Sequence, residues 1–350
     1  MRFRILGVLL VTLAVAPTLF ADATLRYKND FKFGAMLPPA IIQQITSSQK
    51  MPLPPTTVIQ MKAGKIYSTA GMFTSVVDPD KQQITVTDAK NKQFAQVDMK
   101  DYMDQLASAL PSMAAMPPQA QKVLKSLKTN FASRNTGRTD TLLGIQIEEN
   151  ELTLLLQMTP PPDMPIPNAG SGPGQPLTIM KMVMQIWTAT PDEVRRVPAL
   201  TELANRTQNY NSVTNPMAAL QSLFGKLPGL GQGFTSMIEE LGKKRSVMMR
   251  SHAEIHMPIM AQLGQAMQAQ GKPLPEGFDP NAPLCEVTSE AVEVSSAAVD
   301  DSVFQVPSDY QATPLPALLK SIMPAPPSPT PAPASAPPPA PVPGGDGQKP

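Results

Sequence analysis

Short segments that alternate between apolar and polar residues follow one another from residue 24 to 99 of this 350-residue chain, and they limit the folds open to it. Residues 24–33 are the clearest case. Their apolar positions fall on one side of an extended chain, namely Leu25, Tyr27, Phe31 and Phe33. A period of two with one apolar side is typical of a half-buried strand in an antiparallel sheet. Further short segments are separated by turn residues, at 56–61, 65–70, 72–77, 82–87 and 93–99. The pattern predicts a meander, in which each strand pairs with the next.

The remaining chain mixes helix and strand patterns. Apolar residues at helical spacing predict a helix from Met99 to Leu110 and a second helical stretch from Pro117 through Leu127. Further strands are predicted at 141–148, 151–158, 178–188, 246–257 and 284–295. Further helices are predicted after the caps Thr190 and Asn215, around 234–241 and over 259–270. The sequence therefore predicts one strand-rich α+β domain over 24–312, with helical insertions around 101–130 and 190–245.

The first 23 residues have the three parts of a bacterial export signal. Two early arginines form a basic start, residues 5–16 are apolar, and Pro17 precedes small residues suited to a signal peptidase. Ala21-Asp22-Ala23 gives the small-x-small pattern for cleavage after Ala23, and cleavage after Ala21 is the alternative. The apolar run is shorter than the ~20 residues that cross a bilayer. We therefore expect a periplasmic or secreted protein with no transmembrane segment in the mature chain.

Residues 313–350 are rich in Pro and Ala. From Pro324 onwards no apolar residue is larger than Val342, so too little apolar surface exists to offset the entropy of folding. Pro/Ala tracts form extended, semi-rigid spacers. We expect a disordered tail, and a segment that binds a protein partner in the cell envelope is the alternative.

Composition excludes several classes of function. Lys and Arg number 29 against 28 Asp and Glu, a net charge of +1, so the chain lacks the clustered positive charge that binds nucleic acid. With 1 Cys and 2 His, it has no internal disulfide framework, no Cys-rich metal site and little material for nucleophile–base catalysis. No Gly-x-Ser-x-Gly, Walker loop or His-Glu-x-x-His pattern occurs. We expect no catalytic residue and no cofactor, and so not an enzyme.

The segment that most resembles a metal-binding motif is His252-Ala253-Glu254-Ile255-His256. In a strand, both histidines and Glu254 share a face with Arg250, and two imidazoles with a carboxylate suit zinc. Arg250 would repel a cation there, and the opposite face carries the apolar residues. We therefore interpret the histidine face as the solvated side of a strand and predict no metal site.

Other candidates for chemistry are interpreted as structural. Cys285 at the head of a strand is expected to be a buried free thiol. The glycine-rich stretch Gly229–Gly233 lacks the spacing of a dinucleotide loop and follows no strand, so we expect a helix–helix connection. Two acidic pairs are expected in turns rather than at a calcium or acid–base site, namely Asp78/Asp80 and Asp300/Asp301.

Methionine is unusually frequent, at 22 residues, and Met180, Met182 and Met184 alternate along one face of a predicted strand. Methionine is flexible and polarisable, so it fills irregular cores and also lines surfaces that accept varied apolar partners. Two interpretations stay open. The methionines pack a core, or they line an apolar pocket, to which we also assign Phe31 and Phe33.

Four short motifs occur in an order that resembles a known family. They are Met61-Lys62-Ala63-Gly64-Lys65, Val77-Asp78-Pro79-Asp80-Lys81, Lys90-Asn91-Lys92-Gln93-Phe94 and the ending from Val303 to Tyr310. With the export signal, they resemble an uncharacterised family of exported bacterial proteins close to the LolA/LolB-like lipoprotein-carrier superfamily. The likeness covers about 56–100 and the last strands, whereas 101–250 departs from it. It implies an open, curved antiparallel sheet, a half-barrel, with helices covering its concave face. It carries over no ligand-binding residue.

Two functions of different classes follow from these observations. The first is a periplasmic, non-catalytic protein that binds a lipid or acyl chain in a Met-rich hollow between the sheet and its helices. The second is a structural or interaction protein of the cell envelope, whose sheet is a scaffold and whose Pro-rich tail is a spacer or binds a partner.

Overall fold

The computed structural model describes residues 22–47, 54–70, 73–108, 121–122, 126–159, 176–205, 236, 246–274 and 276–322. Within these ranges one open sheet of twelve strands dominates, and the helices are few and short. The described part of the chain is therefore mostly β rather than α+β as the sequence predicts, because its helices are few and short. The open, mainly antiparallel sheet expected from the alternation is confirmed. Outside the described residues lie the signal segment before Asp22, the predicted helix at 215, the glycine-rich stretch at 229–233 and, apart from residue 236, the predicted helix at 234–241.

The strands are β1 (Ala23–Phe33), β2 (Thr56–Lys62), β3 (Lys65–Ala70), β4 (Phe73–Asp78), β5 (Gln83–Asp88), β6 (Gln93–Asp98), β7 (Leu127–Leu142), β8 (Ile145–Met158), β9 (Leu177–Ala189), β10 (Met248–His256), β11 (Cys285–Ser295) and β12 (Gln311–Ala312). The helices are α1 (Pro39–Ser47), α2 (Met99–Ser108), α3 (Pro191–Arg196), α4 (198–205), α5 (Pro258–Ala269) and α6 (Leu315–Ile322), with a 3-10 turn at Asp301–Phe304. No helix among the described residues is long and apolar enough to cross a bilayer.

Two consecutive meanders make up the sheet. One runs from β1 to β6 and the other from β7 to β11, and each strand within them pairs antiparallel with the next. The meanders join where β1 pairs with β11 along nearly its whole length, from Thr24 to Phe33. β12 extends the sheet by pairing with β6 in parallel. β1 therefore lies between β2 and β11, inside the sheet, although it stands first in the chain.

Two-residue turns close two of the hairpins. Ala63 and Gly64 between β2 and β3 have φ values of 47° and 83°, and Leu143 and Gly144 between β7 and β8 have 54° and 72°. Two consecutive positive φ angles are typical of the type I′ turn, whose twist matches that of the flanking strands. The prediction of one strand over 141–148 was therefore wrong, because the second turn divides it. Apolar residues at 143, 145 and 147 keep a period of two across the turn and conceal it.

Buried aspartates shape the two longer turns of the first meander. Asp78 accepts a hydrogen bond from the Lys81 amide at 3.3 Å, and Asp88 accepts from the Lys90 and Asn91 amides at 2.9 and 3.2 Å. Such contacts satisfy amides that have no strand partner. At the other end of the chain, the Asp300 carboxylate accepts from the Ser302 amide at 2.8 Å. The interpretation of Asp78 and Asp300 as turn residues is confirmed.

The longest strand, β7, was not predicted. It begins at Leu127, where the sequence predicts the end of a helix, so that prediction was wrong at this residue. β7 is an edge strand of the sheet, and most of its residues are exposed. A strand with water on both faces needs no alternation of apolar residues, which is why the period-two pattern is absent.

The main core lies where α3 and α4 pack against the sheet. It joins apolar residues of β1–β4 to residues at the ends of β8–β10 and includes Leu25, Tyr27, Met61, Ile66, Ile147, Leu200, Leu203 and Met249. The Tyr27 hydroxyl donates to the Met248 carbonyl at 2.6 Å, and burial raises the pKa of this phenol. The main core thus links the two meanders a second time, through side chains.

A second core lies under α6. Leu315 and Leu318 pack against Ile84, Val86, Ala95 and Val97 of β5 and β6. The expected start of a disordered tail at 313 was therefore wrong for residues 313–322, because the leucines between the prolines provide enough apolar surface to dock a short helix. Residues 323–350 lie outside the described residues.

We expect Leu318→Ala to lower the free energy of unfolding by about 2–5 kcal/mol, because it removes most of a fully buried side chain and Leu318 is 0% exposed. Lys320→Ala on the exposed side of the same helix is the matched control and should change little. Urea unfolding followed by circular dichroism measures both variants. Equal stability of the two variants would contradict the docking of α6.

Candidate apolar binding face

The register of four adjacent strands places the candidate ligand residues of β1 and β9 on one face of the sheet. Phe31 pairs with Val287, Val287 with Ala253, and Ala253 with Met184. Side chains of directly paired residues point to the same face. These four residues therefore form a row across β1, β11, β10 and β9, which we call row one.

A parallel row lies two residues further along the strands. Row two consists of Phe33, Cys285, Ile255 and Met182. On β8 the rows continue to Leu152, which pairs with Met184, and to Leu154, which pairs with Met182. We call rows one and two with these two leucines the apolar face. Met180 lies two residues beyond Met182 and pairs with Leu156.

Burial changes along the apolar face. Leu152 and Leu154 are buried with Ile186, and Met182 and Met184 pack against this cluster. Both methionines, the β10 residues of the two rows and the two phenylalanines of β1 are only partly buried. The two phenylalanine rings meet edge-on at a centroid distance of 4.8 Å. The β8 end is therefore packed core, whereas the remainder offers apolar surface that the described residues only half cover.

The apolar face is long and narrow. Neighbouring strands are about 4.8 Å apart and residues i and i+2 about 7 Å, so four strand spacings give a strip of about 19 Å by 7 Å between β1 and β8. A strip of this shape suits an extended ligand that lies across the strands.

A close backbone contact positions the Phe33 end of the strip. Gly34 follows Phe33 and donates its amide to the Leu284 carbonyl at 3.0 Å. A Cβ at position 34 would lie 1.8 Å from the Pro283 carbonyl oxygen, so only glycine lets the two chain segments approach this closely. The contact keeps Phe33 opposite Cys285 at the point where β1 ends.

The reverse side of the same strands is polar, as the alternation predicts. The Nε2 of His252 lies 3.3 Å from Glu254 Oε1, and the Nε2 of His256 lies 3.0 Å from Glu254 Oε2. The Nδ1 of His252 lies 3.0 Å from the Thr288 hydroxyl. Both imidazoles are thus directed at one carboxylate between them.

These contacts bear on the metal question raised by the sequence. Hydrogen bonding from His256, supported by that from His252, holds the pKa of Glu254 below its usual range. Arg250 on the same side forms ion pairs with Asp140 and Glu290, at N–O distances of 2.8 and 2.6 Å. In the part of the chain that the structure describes, no group of three or more His, Cys, Asp or Glu side chains could hold a metal ion.

Sequence reasoning missed a buried charge on β8. The Glu149 side chain is fully buried and forms two hydrogen bonds with the Arg138 guanidinium, one of them from Nη2 to Oε1 at 2.6 Å. The Thr136 hydroxyl donates to the same carboxylate at 2.6 Å. Arg138 and Arg250 also lie over the Trp187 ring, at 5.9 and 5.8 Å from its centroid. A buried carboxylate requires such pairing, so this network is a structural clamp between β7, β8, β9 and β10.

A separate cleft of about 290 Å³ lies beside the β2–β3 turn and is lined by Lys62, Ala63, Lys65, Asp301, Phe304 and Gln305. The Lys62 ammonium pairs with Asp301 at 3.0 Å and the Lys65 ammonium with Asp78 at 3.4 Å. Because both lysines are neutralised, the cleft is a weak candidate for binding an anion. None of its residues belongs to the apolar face.

No family model matches this chain, and no curated protein matches it either. The likeness to the lipoprotein-carrier superfamily therefore stays a prediction.

We expect the thiol of Cys285 to react slowly with iodoacetamide at pH 8 in the native protein and rapidly in guanidinium chloride. Burial raises the pKa of this thiol, so little thiolate is present, and the side chain is only 8% exposed. The chain has 1 Cys, so the mass increase on alkylation reports this site alone. A native rate equal to the denatured rate would show that row two is open to solvent at this strand.

Proposed function

We propose that this protein is exported to the periplasm or secreted, has no catalytic role, and binds an apolar ligand, a lipid or an acyl chain, on the apolar face. The observation that carries the proposal is the strand register, which brings Phe31 and Phe33 into the same two rows as Met184 and Met182. These residues stand far apart in the sequence, and they form one apolar strip only in the folded chain.

The chemistry of the strip favours a flexible, extended ligand. Each buried methylene contributes about 0.8 kcal/mol, so ~10 methylenes laid along the strip give ~8 kcal/mol before the entropic cost of association. Methionine thioethers adapt to varied chain shapes, whereas the edge-on phenylalanine pair offers a rigid wall. The strip carries no charged side chain, so it would discriminate poorly between head groups.

We further propose that the sheet curves into a half-barrel with the apolar face on its concave side. Leu25 and Tyr27, which belong to the main core, stand at the same alternate positions of β1 as Phe31 and Phe33. On β1, the side that contacts the main core is therefore the side that carries the apolar face. On β8 and β9, the main-core residues Ile147 and Ala189 stand at the alternate positions opposite to Leu152 and Met184. At β1, a concave side that holds the main core at one end and the ligand at the other fits this arrangement.

We expect Met184→Glu to weaken binding of a fluorescent fatty acid at least tenfold, because it places a carboxylate in row one. Gln185→Glu is the matched control. It adds the same charge to the next residue, which points to the polar side, and binding should be unchanged. Fluorescence titration of both folded variants and the wild type measures this. Wild-type protein that takes up no fatty acid and yields no lipid on organic extraction would contradict the proposed function.

The alternative is a cell-envelope interaction protein, and one observation favours it. α6 docks on β5 and β6, so residue 323 and the Pro-rich segment after it start from a fixed point on the sheet. A chain that ends at Ile322 should then lose a partner that the full-length chain captures from envelope extracts. Capture of the same partner by both chains would contradict a role for residues 323–350.

A further inference from the structure

The contacts that hold the amino end of β1 begin at Asp22. Its carboxylate Oδ2 accepts a hydrogen bond from the Val299 amide at 2.7 Å. Ala23, the next residue, is 0% exposed, belongs to the main core and pairs with Met61 of β2. Both residues that precede Thr24 are therefore part of the folded domain.

The surroundings of Asp22 carry an excess of negative charge. The Lys62 ammonium donates to the Val299 carbonyl at 2.7 Å and forms an ion pair with Asp301 at 3.0 Å. Asp22 and Asp300 also lie close enough to raise the pKa of Lys62. Three carboxylates thus face one ammonium group, and a second cation at this corner would be stabilised by their field.

A chain that begins at Thr24 would fit this corner poorly. Thr24 is 7% exposed and lies between Gln60 of β2 and Ser295 of β11, inside the sheet. A chain that begins there would lose the pairing of Ala23 with Met61 of β2. The hydrogen bond of Asp22 and the burial of Ala23 would also be lost.

We propose that the export signal is removed by hydrolysis of the Ala21–Asp22 bond, so that the mature protein begins with Asp22. Water adds across this bond in the active site of a signal peptidase, giving a carboxylate on Ala21 and an amino group on Asp22. The new α-ammonium then belongs to Asp22, whose carboxylate accepts the hydrogen bond from the Val299 amide. The small-x-small pattern of the sequence favours the bond after Ala23, and the packing of Asp22 and Ala23 favours the bond two residues earlier.

The test is the amino-terminal sequence of the exported protein. The full-length precursor is expressed in an exporting bacterial host, cells are lysed directly in denaturant to stop trimming by aminopeptidases, and the terminal peptide is read by mass spectrometry. We expect a terminus at Asp22. A terminus at Thr24, or a chain that keeps the signal, would overturn the proposal.

A pair of variants tests the same bond independently of folding. Ala23→Leu puts a large residue next to the bond after Ala23 but two residues beyond the bond after Ala21, so we expect normal processing. Ala21→Leu puts the large residue next to the bond after Ala21 instead, so we expect it to block processing at that bond. Pulse labelling scores precursor and mature chains within minutes of synthesis, before any instability of Ala23→Leu matters. Loss of processing in Ala23→Leu would overturn the proposal.

Discussion

The pairing of β1 with β11 is the interaction on which the rest of this structure depends. It joins the meander of β1–β6 to the meander of β7–β11, and it places β1 inside the sheet. This contact is required by the main core and by both rows of the apolar face. It is also required by the hydrogen bond from the Tyr27 hydroxyl of β1 to the Met248 carbonyl at the start of β10. Bringing such distant strands together costs loop entropy, and the main core, which both meanders share, helps to offset it.

The same register gives the second half of the sheet its two different sides. On one side, phenylalanine, methionine and leucine side chains form a narrow apolar strip, and on the other, His252, Glu254 and Arg250 are joined to carboxylates and hydroxyls. If the pairing of β11 with β1 shifted by one residue, the side chains of β11 would change faces relative to β1, and a polar residue would replace Val287 beside Phe31. The close approach of Gly34 to Pro283 and the ion pair between Arg26 and Glu293 at 2.9 Å oppose such a shift at the two ends of the pairing.

The elements that the sequence predicted well are those with one buried face. β1, β3 and β9 lie within one residue of their predicted bounds, because apolar alternation records a half-buried strand directly. The failures have equally local causes. β7 is an edge strand with little apolar surface, the Leu143-Gly144 turn continues the alternation, and α6 stands among prolines that suggest a tail. Glu149 gave no distinct signal, because it stands in the polar run Glu148-Glu149-Asn150-Glu151. Its partner Arg138 is on a strand that was not predicted.

The sequence by itself determined which side chains share a face within each strand, and so it assigned Met180, Met182 and Met184 to one face of β9 and Phe31 and Phe33 to one face of β1. It also assigned Asp78 to a turn, where its carboxylate accepts from the Lys81 amide. Only the tertiary structure decided that the faces of β1 and β9 meet through Val287, Ala253, Cys285 and Ile255. The physical reason is that alternation is a property of neighbouring residues, whereas the register between distant strands is set by long-range pairing and packing.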